Sequence, residues 1–478
     1  MCWGMRITEF GNTPLRFLSF EENPSHCERT RLGGKVQQSQ PLPTPPSRGR
    51  EKVGGDRMED IVHAIEKILA KAAGKDSVVT GEIVNCWVDL GEVNDIYLQT
   101  VRSFYEMGGK KVHDPRKLVF IMDHYAPAST ILQADNQRQF REFCREQNIE
   151  LFFDVDQGVC HQAMVDNGLV YPGMILVATD SHTTTHGAFG AFGTGVGATD
   201  MAVIMITGKL WFRVPEIIRF HLTGTLPKGV FAKDAILRII GDLGADYGIY
   251  KGIEFTGPLL KSLNVSERMS LCNMTTEIGA KTAYIQPDDI TLDFVRGPVK
   301  NEFQVFTTDP GYKYAAEHTY DVSRLKPQLA APHSVDNVHP LEKFIGTPID
   351  QAFLGTCTGG RAEDLAIAAK ILKGKKVHRG TRFIVVPASK EVLLEAMARG
   401  FMQILVEAGA TFVTPGCAAC LGTHEGILAP GETCITASSR NFPGRMGSPK
   451  AQIYVGSPAS VAAAALEGRI VDPTGYLD

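Results

Sequence analysis

The chain has 478 residues, of which 44% are hydrophobic and 21% charged, with a net charge of −4 at pH 7. This length allows large buried cores and predicts two to four domains. The charge balance gives no sign of a dedicated nucleic-acid binder, and no apolar run approaches the roughly 20 residues of a membrane span. Ten cysteines are too sparse for a disulfide framework, so we expect a reducing, cytoplasmic location.

Residues 1–57 differ in composition from the rest of the chain. The segment 37–50 is rich in Pro, Gln and Arg and cannot bury a core, which predicts a disordered N-terminal extension. Apolar residues at helical spacing begin directly after Met58 and run over 61–69. The folded part is therefore expected to begin near Met58.

Beyond that point, short apolar runs alternate with stretches of helical periodicity. The first set contains predicted strands at 118–122, 149–155 and 174–178 and predicted helices at 136–147 and 201–212. The second set covers 216–255, a predicted helix at 267–278 and a polar segment at 309–335 that indicates a linker. The third set contains predicted strands at 351–355 and 383–386 and predicted helices at 363–372 and 390–398.

This alternation is typical of an α/β protein with largely parallel sheets. We predict three α/β/α-layered domains around a central cleft, at 58–207, 208–333 and 334–478. In such sheets, ligand groups gather where strands end. Polar clusters follow three predicted strands: Asp123-His124, Asp180-Ser181-His182 and Cys357. We expect them to converge on the cleft.

Three cysteines are candidate metal ligands. Cys357 lies in a glycine-flanked turn, and Cys417 and Cys420 form a Cys-x-x-Cys pair. A 4Fe-4S cluster held by three thiolates leaves one iron open to substrate, which indicates catalysis rather than electron transfer. The alternative is zinc bound by Cys417, Cys420, His424 and Cys434, which lie within 18 residues.

Histidines next to acids are candidate proton donors. His124 follows Asp123 and His182 lies close to Asp180, while His161 sits in a third loop. An adjacent carboxylate favours the imidazolium form, which suits proton donation to a departing hydroxide. A lone pair of this kind is equally typical of a surface histidine, but three in three loops favour a site.

Two further pairs of polar residues are candidates for binding a substrate. Arg440 and Arg445 lie in a glycine- and serine-rich segment, and their guanidinium forks fit a di- or tricarboxylate, although solvated surface arginines give the same pattern. Asn273 and Glu277 are four residues apart on one face of a predicted helix, where they can hold a hydroxyl group. The glycines of 187–197 favour close backbone packing over a phosphate cradle.

Taken together, these segments resemble the aconitase superfamily of hydro-lyases, and more closely the large subunits of 3-isopropylmalate dehydratase, homoaconitase and dimethylmalate dehydratase. The resemblance runs from about residue 84 to the C-terminus. The motifs that carry it are Met122-Asp123-His124, Gly158-Val159-Cys160-His161-Gln162, Thr179-Asp180-Ser181-His182-Thr183, Cys272-Asn273-Met274, Gly355-Thr356-Cys357-Thr358, Gly416-Cys417, Cys420-Leu421-Gly422, and Arg440-Asn441-Phe442 with Gly444-Arg445.

The resemblance implies that a 4Fe-4S cluster is bound by Cys357, Cys417 and Cys420. It implies catalytic roles for Asp123, His124, His161, Asp180, His182 and Glu277. It implies substrate binding by Ser181, Asn273, Arg440 and Arg445. The open iron would bind the substrate's hydroxyl and a carboxylate, and Asp123 with His124 would protonate the leaving hydroxyl.

Two departures from the family pattern matter. The family usually has Asn two residues after the first cluster cysteine, where this chain has Gly359. The family's catalytic serine lies on a swivelling fourth domain, whereas this chain stops at Asp478 after the third. In the dehydratase relatives that domain is a separate small subunit, so we expect the chain to need such a partner for activity.

The resemblance implies a large subunit that isomerises 2-isopropylmalate to 3-isopropylmalate in leucine biosynthesis. Homocitrate-type and dimethylmalate substrates remain alternatives, because selectivity is expected to depend largely on the missing domain. An alternative of another class is a noncatalytic zinc protein or a cluster-sensing regulator.

Overall fold

The computed structural model describes residues 61–96 and 98–478, so the prediction of a disordered extension lies outside the described residues. None of the helices in these ranges is long and apolar enough to cross a membrane. The helices are α1 (Ala64–Ala73), α2 (Leu98–Glu106), α3 (Ile131–Gln147), α4 (Cys160–Asp166), α5 (Ala198–Thr207), α6 (Ala232–Leu243), α7 (Val265–Asn273), α8 (Asp289–Arg296), α9 (Ala362–Leu372), α10 (Lys390–Ala398), α11 (Phe401–Ala408) and α12 (Pro458–Glu467).

The strands form three large sheets and one small one. The strands are β1 (Ile83–Trp87), β2 (Leu90–Asn94), β3 (Leu118–Ile121), β4 (Phe152–Phe153), β5 (Ile175–Ala178), β6 (Phe192–Gly195), β7 (Lys209–Arg213), β8 (Ile217–Thr223), β9 (Gly252–Thr256), β10 (Thr282–Ile285), β11 (Ala316–Asp321), β12 (Gln328–Ala330), β13 (Val338–Pro340), β14 (Gln351–Gly355), β15 (Arg382–Val386), β16 (Thr411–Phe412), β17 (Thr433–Thr436) and β18 (Gln452–Val455).

The three large sheets are mainly parallel. Their strand orders are β4-β3-β2-β5-β6, β10-β9-β8-β11 and β13-β12-β18-β17-β14-β15-β16. Only β12 pairs antiparallel within them, with β13 and β18, while β1 and β7 form a separate antiparallel pair. Helices between successive strands supply the crossovers that parallel pairing requires. The predicted α/β class is therefore confirmed.

The sequence-based boundaries differ from the structure in the first sheet. The predicted strand at 149–155 is reduced to β4, Phe152–Phe153. The predicted helix at 201–212 ends at Thr207, because Gly208 adopts a left-handed conformation with φ of 72° and stops the helix. The next residues form β7, where buried Leu210 and Phe212 alternate with exposed neighbours. That alternation has the period of a strand, not of a helix.

Two other predictions are corrected. The predicted linker at 309–335 contains β11 and β12, of which β11 is a polar strand at the edge of the second sheet. Its side chains are at most half-buried, so it lacks the apolar run by which a strand is recognised. The predicted helix at 267–278 is α7 only as far as Asn273, after which Met274–Ile278 forms a 3₁₀ turn.

The sheets share buried surface. One hydrophobic cluster contains residues from all three large sheets, among them Ile121, Phe255 and Val455. The described residues belong to one compact unit, so the division at 207 and 333 stays a prediction. The polar motifs lie at the carboxyl ends of β3, β5 and β14, where parallel sheets present their ligand-binding loops.

Candidate metal centre and its acid–base groups

Asp123 and His124 follow β3 and are buried. Nδ1 of His124 lies 2.6 Å from Oδ1 of Asp123, and the backbone N–H of Cys160, at the start of α4, donates to Oδ2 of Asp123 at 2.8 Å. Burial opposes a charge on His124, but the charges and hydrogen bonds of its neighbours, led by Asp123, outweigh it and raise the pKa of His124 well above its usual value. This geometry holds a buried cationic imidazole in place.

The carboxylate of Asp180 contacts three histidines. It follows β5, accepts the backbone N–H of His182 at 2.7 Å and lies 2.9 Å from Nε2 of His161. Its other oxygen is 3.6 Å from Nε2 of His124. Burial favours the neutral acid, yet the hydrogen bonds from the three histidines hold the pKa of Asp180 well below its usual value. The carboxylate therefore fixes the orientation of the rings.

Glu277 joins a histidine to an arginine. Its Oε1 lies 3.0 Å from Nε2 of His182 and accepts Nε–H of Arg440 at 2.7 Å. Burial raises the pKa of Glu277, but His182 and Arg440 outweigh this and lower it below its usual value. The predicted shared helix face is wrong, because α7 ends at Asn273, yet the 3₁₀ turn still brings Glu277 into the same site.

The three candidate cysteines are buried and have polar donors nearby. The Asn273 amide donates to Sγ of Cys357 at 3.2 Å, and Arg445 donates to Sγ of Cys420 at 3.5 Å. The backbone N–H of Cys417 donates to the carbonyl of Asp123 at 2.9 Å, so the cysteine loop contacts the loop after β3. Burial raises the pKa of Cys357 to about 11, so this thiol needs a cation to ionise at neutral pH.

The predicted zinc ligands do not come together. Zinc ligands lie about 2.0–2.3 Å from the ion, so their donor atoms must be within about 4 Å of one another. Among the described residues, one group of three His, Cys, Asp or Glu side chains has its ligand atoms within 4.8 Å of one another. This group is Asp123, His124 and Cys417. Cys434 instead contacts the Ile435 carbonyl at 3.5 Å within β17. The geometry therefore disfavours the Cys-x-x-Cys zinc alternative.

Ser181 lies at the surface, whereas Gly359 lies in closely packed backbone. Ser181 is exposed at the start of the 3₁₀ turn after β5 and makes no side-chain hydrogen bond among the described residues. A Cβ on Gly359 would lie 2.3 Å from Cβ of Ala437. The family's asparagine therefore cannot fit at 359 unless the loop around Ala437 moves, which accounts for this departure.

Sequence reasoning missed Lys233, which is fully buried in the first turn of α6. Its ammonium donates to the carbonyls of Ala437 and Ser438 and to Oγ1 of Thr358, so it joins the Cys357 loop to the loop before Arg440. Burial lowers the pKa of Lys233 to about 7 against the nearby acidic charges. A lysine in a helical first turn gives no sequence signal, because its partners lie over 120 residues away.

Asp95 and Ser439 were also missed. Asp95 accepts the backbone N–H groups of His124 and Tyr125 at 2.9 and 3.0 Å, which fixes the loop that carries His124. Oγ of Ser439 lies 2.9 Å from Nε2 of His182. Ser439 directly precedes Arg440, so its position beside the arginine motif is the signal that could have identified it.

Replacing Lys233 with methionine is expected to lower the free energy of unfolding by about 3 kcal/mol, because the buried carbonyls lose a charged donor. Denaturant unfolding of the full chain measures this. Lys228→Met is the matched control, because Lys228 forms only an exposed ion pair with Asp478 and should change stability by less than about 0.5 kcal/mol. Equal stability of the two variants would contradict a role for Lys233 in joining the loops.

Buried thiols lie beside histidine–carboxylate pairs at the carboxyl ends of parallel strands, so this α/β protein places a candidate metal site next to candidate acid–base groups. The family model described as "Aconitase family (aconitate hydratase)" matches residues 66–348 and 342–468. The chain therefore belongs to the aconitase family.

Curated relatives match most of the chain. It is 49% identical over 413 residues to a Methanopyrus kandleri protein named "3-isopropylmalate dehydratase large subunit 1", covering 86% of this chain and 99% of the relative. It is 48% identical to a "Probable methanogen homoaconitase large subunit" of Methanothermobacter thermautotrophicus, covering 85% and 96%. It is 44% identical to the "3-isopropylmalate dehydratase large subunit" of a Hydrogenobaculum species, covering 85% and 96%.

Proposed function

We propose that the chain is the cluster-bearing large subunit of a hydro-lyase that interconverts 2-isopropylmalate and 3-isopropylmalate, a step of leucine biosynthesis. The observation that carries this proposal is the 49% identity to a relative named as a 3-isopropylmalate dehydratase large subunit, over 99% of that relative's length. The acid–base groups around the three thiols fit the removal and return of water.

The donor set fits a 4Fe-4S cluster. The three buried thiols of Cys357, Cys417 and Cys420 match a cluster with one open iron. The Asn273 amide and the Arg445 guanidinium donate to two of the sulfur atoms, as groups that hydrogen-bond to ligand sulfurs do. When bound, such a cluster supplies a Lewis-acidic iron that weakens the bond between carbon and hydroxyl.

The chain's own residues supply protons and orientation. His124, paired with Asp123, is the group that protonates the leaving hydroxyl, and Asp180 holds the ring of His161 in place. Of the N–H groups of Arg440, Glu277 accepts only the one on Nε. The terminal amino groups of this arginine therefore remain for a substrate carboxylate. Arg445 binds a second carboxylate or the partner's loop beside Cys420.

A small subunit completes this site. The relatives are named large subunits, which supports a separate partner chain, and we propose that the partner carries the serine that removes the proton from carbon. A chain of about 160–200 residues, a usual single-domain size, would suffice. Turnover of 3-isopropylmalate by the purified 478-residue chain alone would contradict this split site.

A homoaconitase large subunit is the second candidate, favoured by the 48% identity to the methanogen relative. Assays of the reconstituted complex with 3-isopropylmalate and with homocitrate separate the two. A kcat/KM ratio above about 10² in favour of 3-isopropylmalate supports the first candidate, and the reverse ratio supports the second.

Anaerobic purification tests the cofactor directly. We expect a brown protein with about four iron and four acid-labile sulfide atoms per chain. Colourless protein with one zinc per chain would overturn the proposal and restore the zinc alternative.

A further inference from the structure

Arg361 is a buried arginine whose hydrogen bonds all go to uncharged groups. It lies four residues after Cys357, at the N-cap of α9, and is 2% exposed. Its Nε–H donates to Oε1 of Gln162 at 3.0 Å, and Nη1 donates to Oγ of Ser270 and to the carbonyl of Ser266 at 3.0 and 3.2 Å. Among the described residues no carboxylate accepts a hydrogen bond from this guanidinium, and its Nη2 has no partner.

The other buried arginine among the described residues shows the ordinary arrangement. Arg268 of α7 donates from both terminal nitrogens to the carboxylate of Asp288, at 2.6 and 2.7 Å. Arginine is rarely buried without such a partner, because an uncompensated charge in the interior costs free energy. The burial of Arg361 therefore requires a negative charge other than a hydrogen-bonded carboxylate.

Two groups near Arg361 can supply negative charge. Asp364 is one, but its Oδ2 accepts the backbone N–H of Arg361 at 3.0 Å and not a side-chain N–H. Burial raises the pKa of Asp364 to about 6, against the charge of Arg361. Burial also lowers the pKa of Arg361, and the negative charges that oppose this are led by Asp364 and then by the thiolate of Cys357. Cys357 is therefore a leading counter-charge of this arginine.

The helix α7 contacts both Arg361 and Cys357. Ser266, Ser270 and Asn273 lie on one face of this helix, at positions i, i+4 and i+7. The two serines accept hydrogen bonds from Arg361, and the amide of Asn273 donates to Sγ of Cys357 at 3.2 Å. Ser270 and Asn273 are separated by only about 4.5 Å along the helix axis. One face of one helix therefore fixes both the guanidinium and the thiol.

The backbone between Cys357 and Arg361 is a tight turn. The N–H of Gly360 donates to the carbonyl of Thr356 at 3.1 Å. A Cβ on Gly360 would lie 2.5 Å from the Val386 carbonyl oxygen and 2.7 Å from the backbone nitrogen of Thr356. This packing leaves the turn little room to move, so the guanidinium stays close to the thiol.

We propose that Arg361 is a positioning residue for the iron–sulfur cluster, and that its fixed charge offsets the negative charge of the cluster-bound Cys357 thiolate. This inference rests on the proposed cluster but not on the choice of substrate. Net charge is one of the properties that set the reduction potential of a cluster. A fixed positive charge favours the reduced form, which carries one more electron, and it favours the thiolate that holds the iron.

Substitutions at Arg361 separate its charge from its packing. Arg361→Gln removes the charge but keeps an amide donor for Gln162 or Ser270, whereas Arg361→Lys keeps the charge and loses the planar fork. Arg361→Met replaces Arg361→Gln if the buried amide prevents folding. Ser270→Ala removes one acceptor and leaves the charge in place. Arg399→Met is the control for loss of a surface charge, because Arg399 forms an exposed pair with Glu395.

Anaerobic titration of the full chain with dithionite, followed by electron paramagnetic resonance, gives the midpoint potential of the cluster. We expect Arg361→Gln to lower the affinity of the cluster for an electron at least about tenfold, which is about 59 mV for a one-electron couple. Arg361→Lys, Ser270→Ala and Arg399→Met should change this affinity less than about threefold. Loss of iron to a chelator should be several-fold faster in Arg361→Gln and unchanged in Arg399→Met.

The outcomes distinguish a role of the charge from a role in packing. A wild-type potential in cluster-loaded Arg361→Gln would overturn the inference and leave the hydro-lyase proposal intact. An equal shift in Arg361→Lys would overturn it as well, because packing would then be the cause. If Arg361→Gln folds without a cluster while Arg361→Lys holds one, the charge is needed for retention and the inference is supported. A wild-type chain without iron and sulfide would overturn the proposed function and this inference together.

Discussion

Serine in place of Cys357 is expected to abolish cluster binding and to reduce turnover by the complex about 10³-fold or more. The hydroxyl group does not ionise near neutral pH and cannot replace a thiolate on iron. The lost Lewis acid accounts for at least about 4 kcal/mol of barrier lowering. Iron and sulfide analysis, the visible absorption spectrum and turnover measure the effect.

Cys434→Ser is the matched control for this change. Cys434 is also a buried cysteine, and the one hydrogen bond of its Sγ among the described residues is to the Ile435 carbonyl, an acceptor for a serine hydroxyl as well. The variant should keep its iron. If Cys434→Ser lost metal as completely as Cys357→Ser, Cys434 would be a ligand, and the zinc alternative would regain support.

Glu277→Gln is expected to lower kcat about 10²- to 10⁴-fold. Both hydrogen bonds to Glu277 go to Oε1, so a glutamine oxygen can keep them while the negative charge disappears. His182 and Arg440 then lose the buried negative charge that they contact, which also costs about 2 kcal/mol of stability. Steady-state kinetics and denaturant unfolding measure the two effects.

The lowered pKa of Glu277 also predicts the direction in which stability changes with pH. The pKa of Glu277 is lowered in the folded chain, so its charge contributes stability that is present above the unfolded value near 4.5 and is lost as the pH falls through the folded pKa. The stability difference between wild type and Glu277→Gln should therefore be constant from pH 8 to about pH 5 and shrink below that. Glu395→Gln, in an exposed pair with Arg399, should show no such trend. A difference that grows on acidification would contradict the assigned charge.

Local patterns were sufficient to predict much of the fold. Strands such as β3 and β14 are continuous apolar runs, and helices such as α9 and α10 have clear periodicity, so their positions follow from short-range information. β7 was missed because Gly208 stops a helix inside an apolar stretch. β11 was missed because a polar edge strand depends on pairing with β8, which no local pattern reports.

Residues of the candidate site were predictable where an acid, histidine or cysteine stands at the end of a predicted strand. Asp123, Asp180 and Cys357 stand at strand ends, which is a local signal. Other pairings in the site are not local: His182 and Glu277 are 95 residues apart, and Lys233 reaches a carbonyl 205 residues away. Such contacts are set by the packing of whole sheets, so the sequence alone could not predict the long-range pairs such as His182 with Glu277.

One of the links between the Cys417 loop and the loop after β3 runs from the backbone N–H of Cys417 to the backbone carbonyl of Asp123. A main-chain bond of this kind is indifferent to which side chains flank it. This bond can therefore keep the two loops at the same separation when a flanking side chain is exchanged.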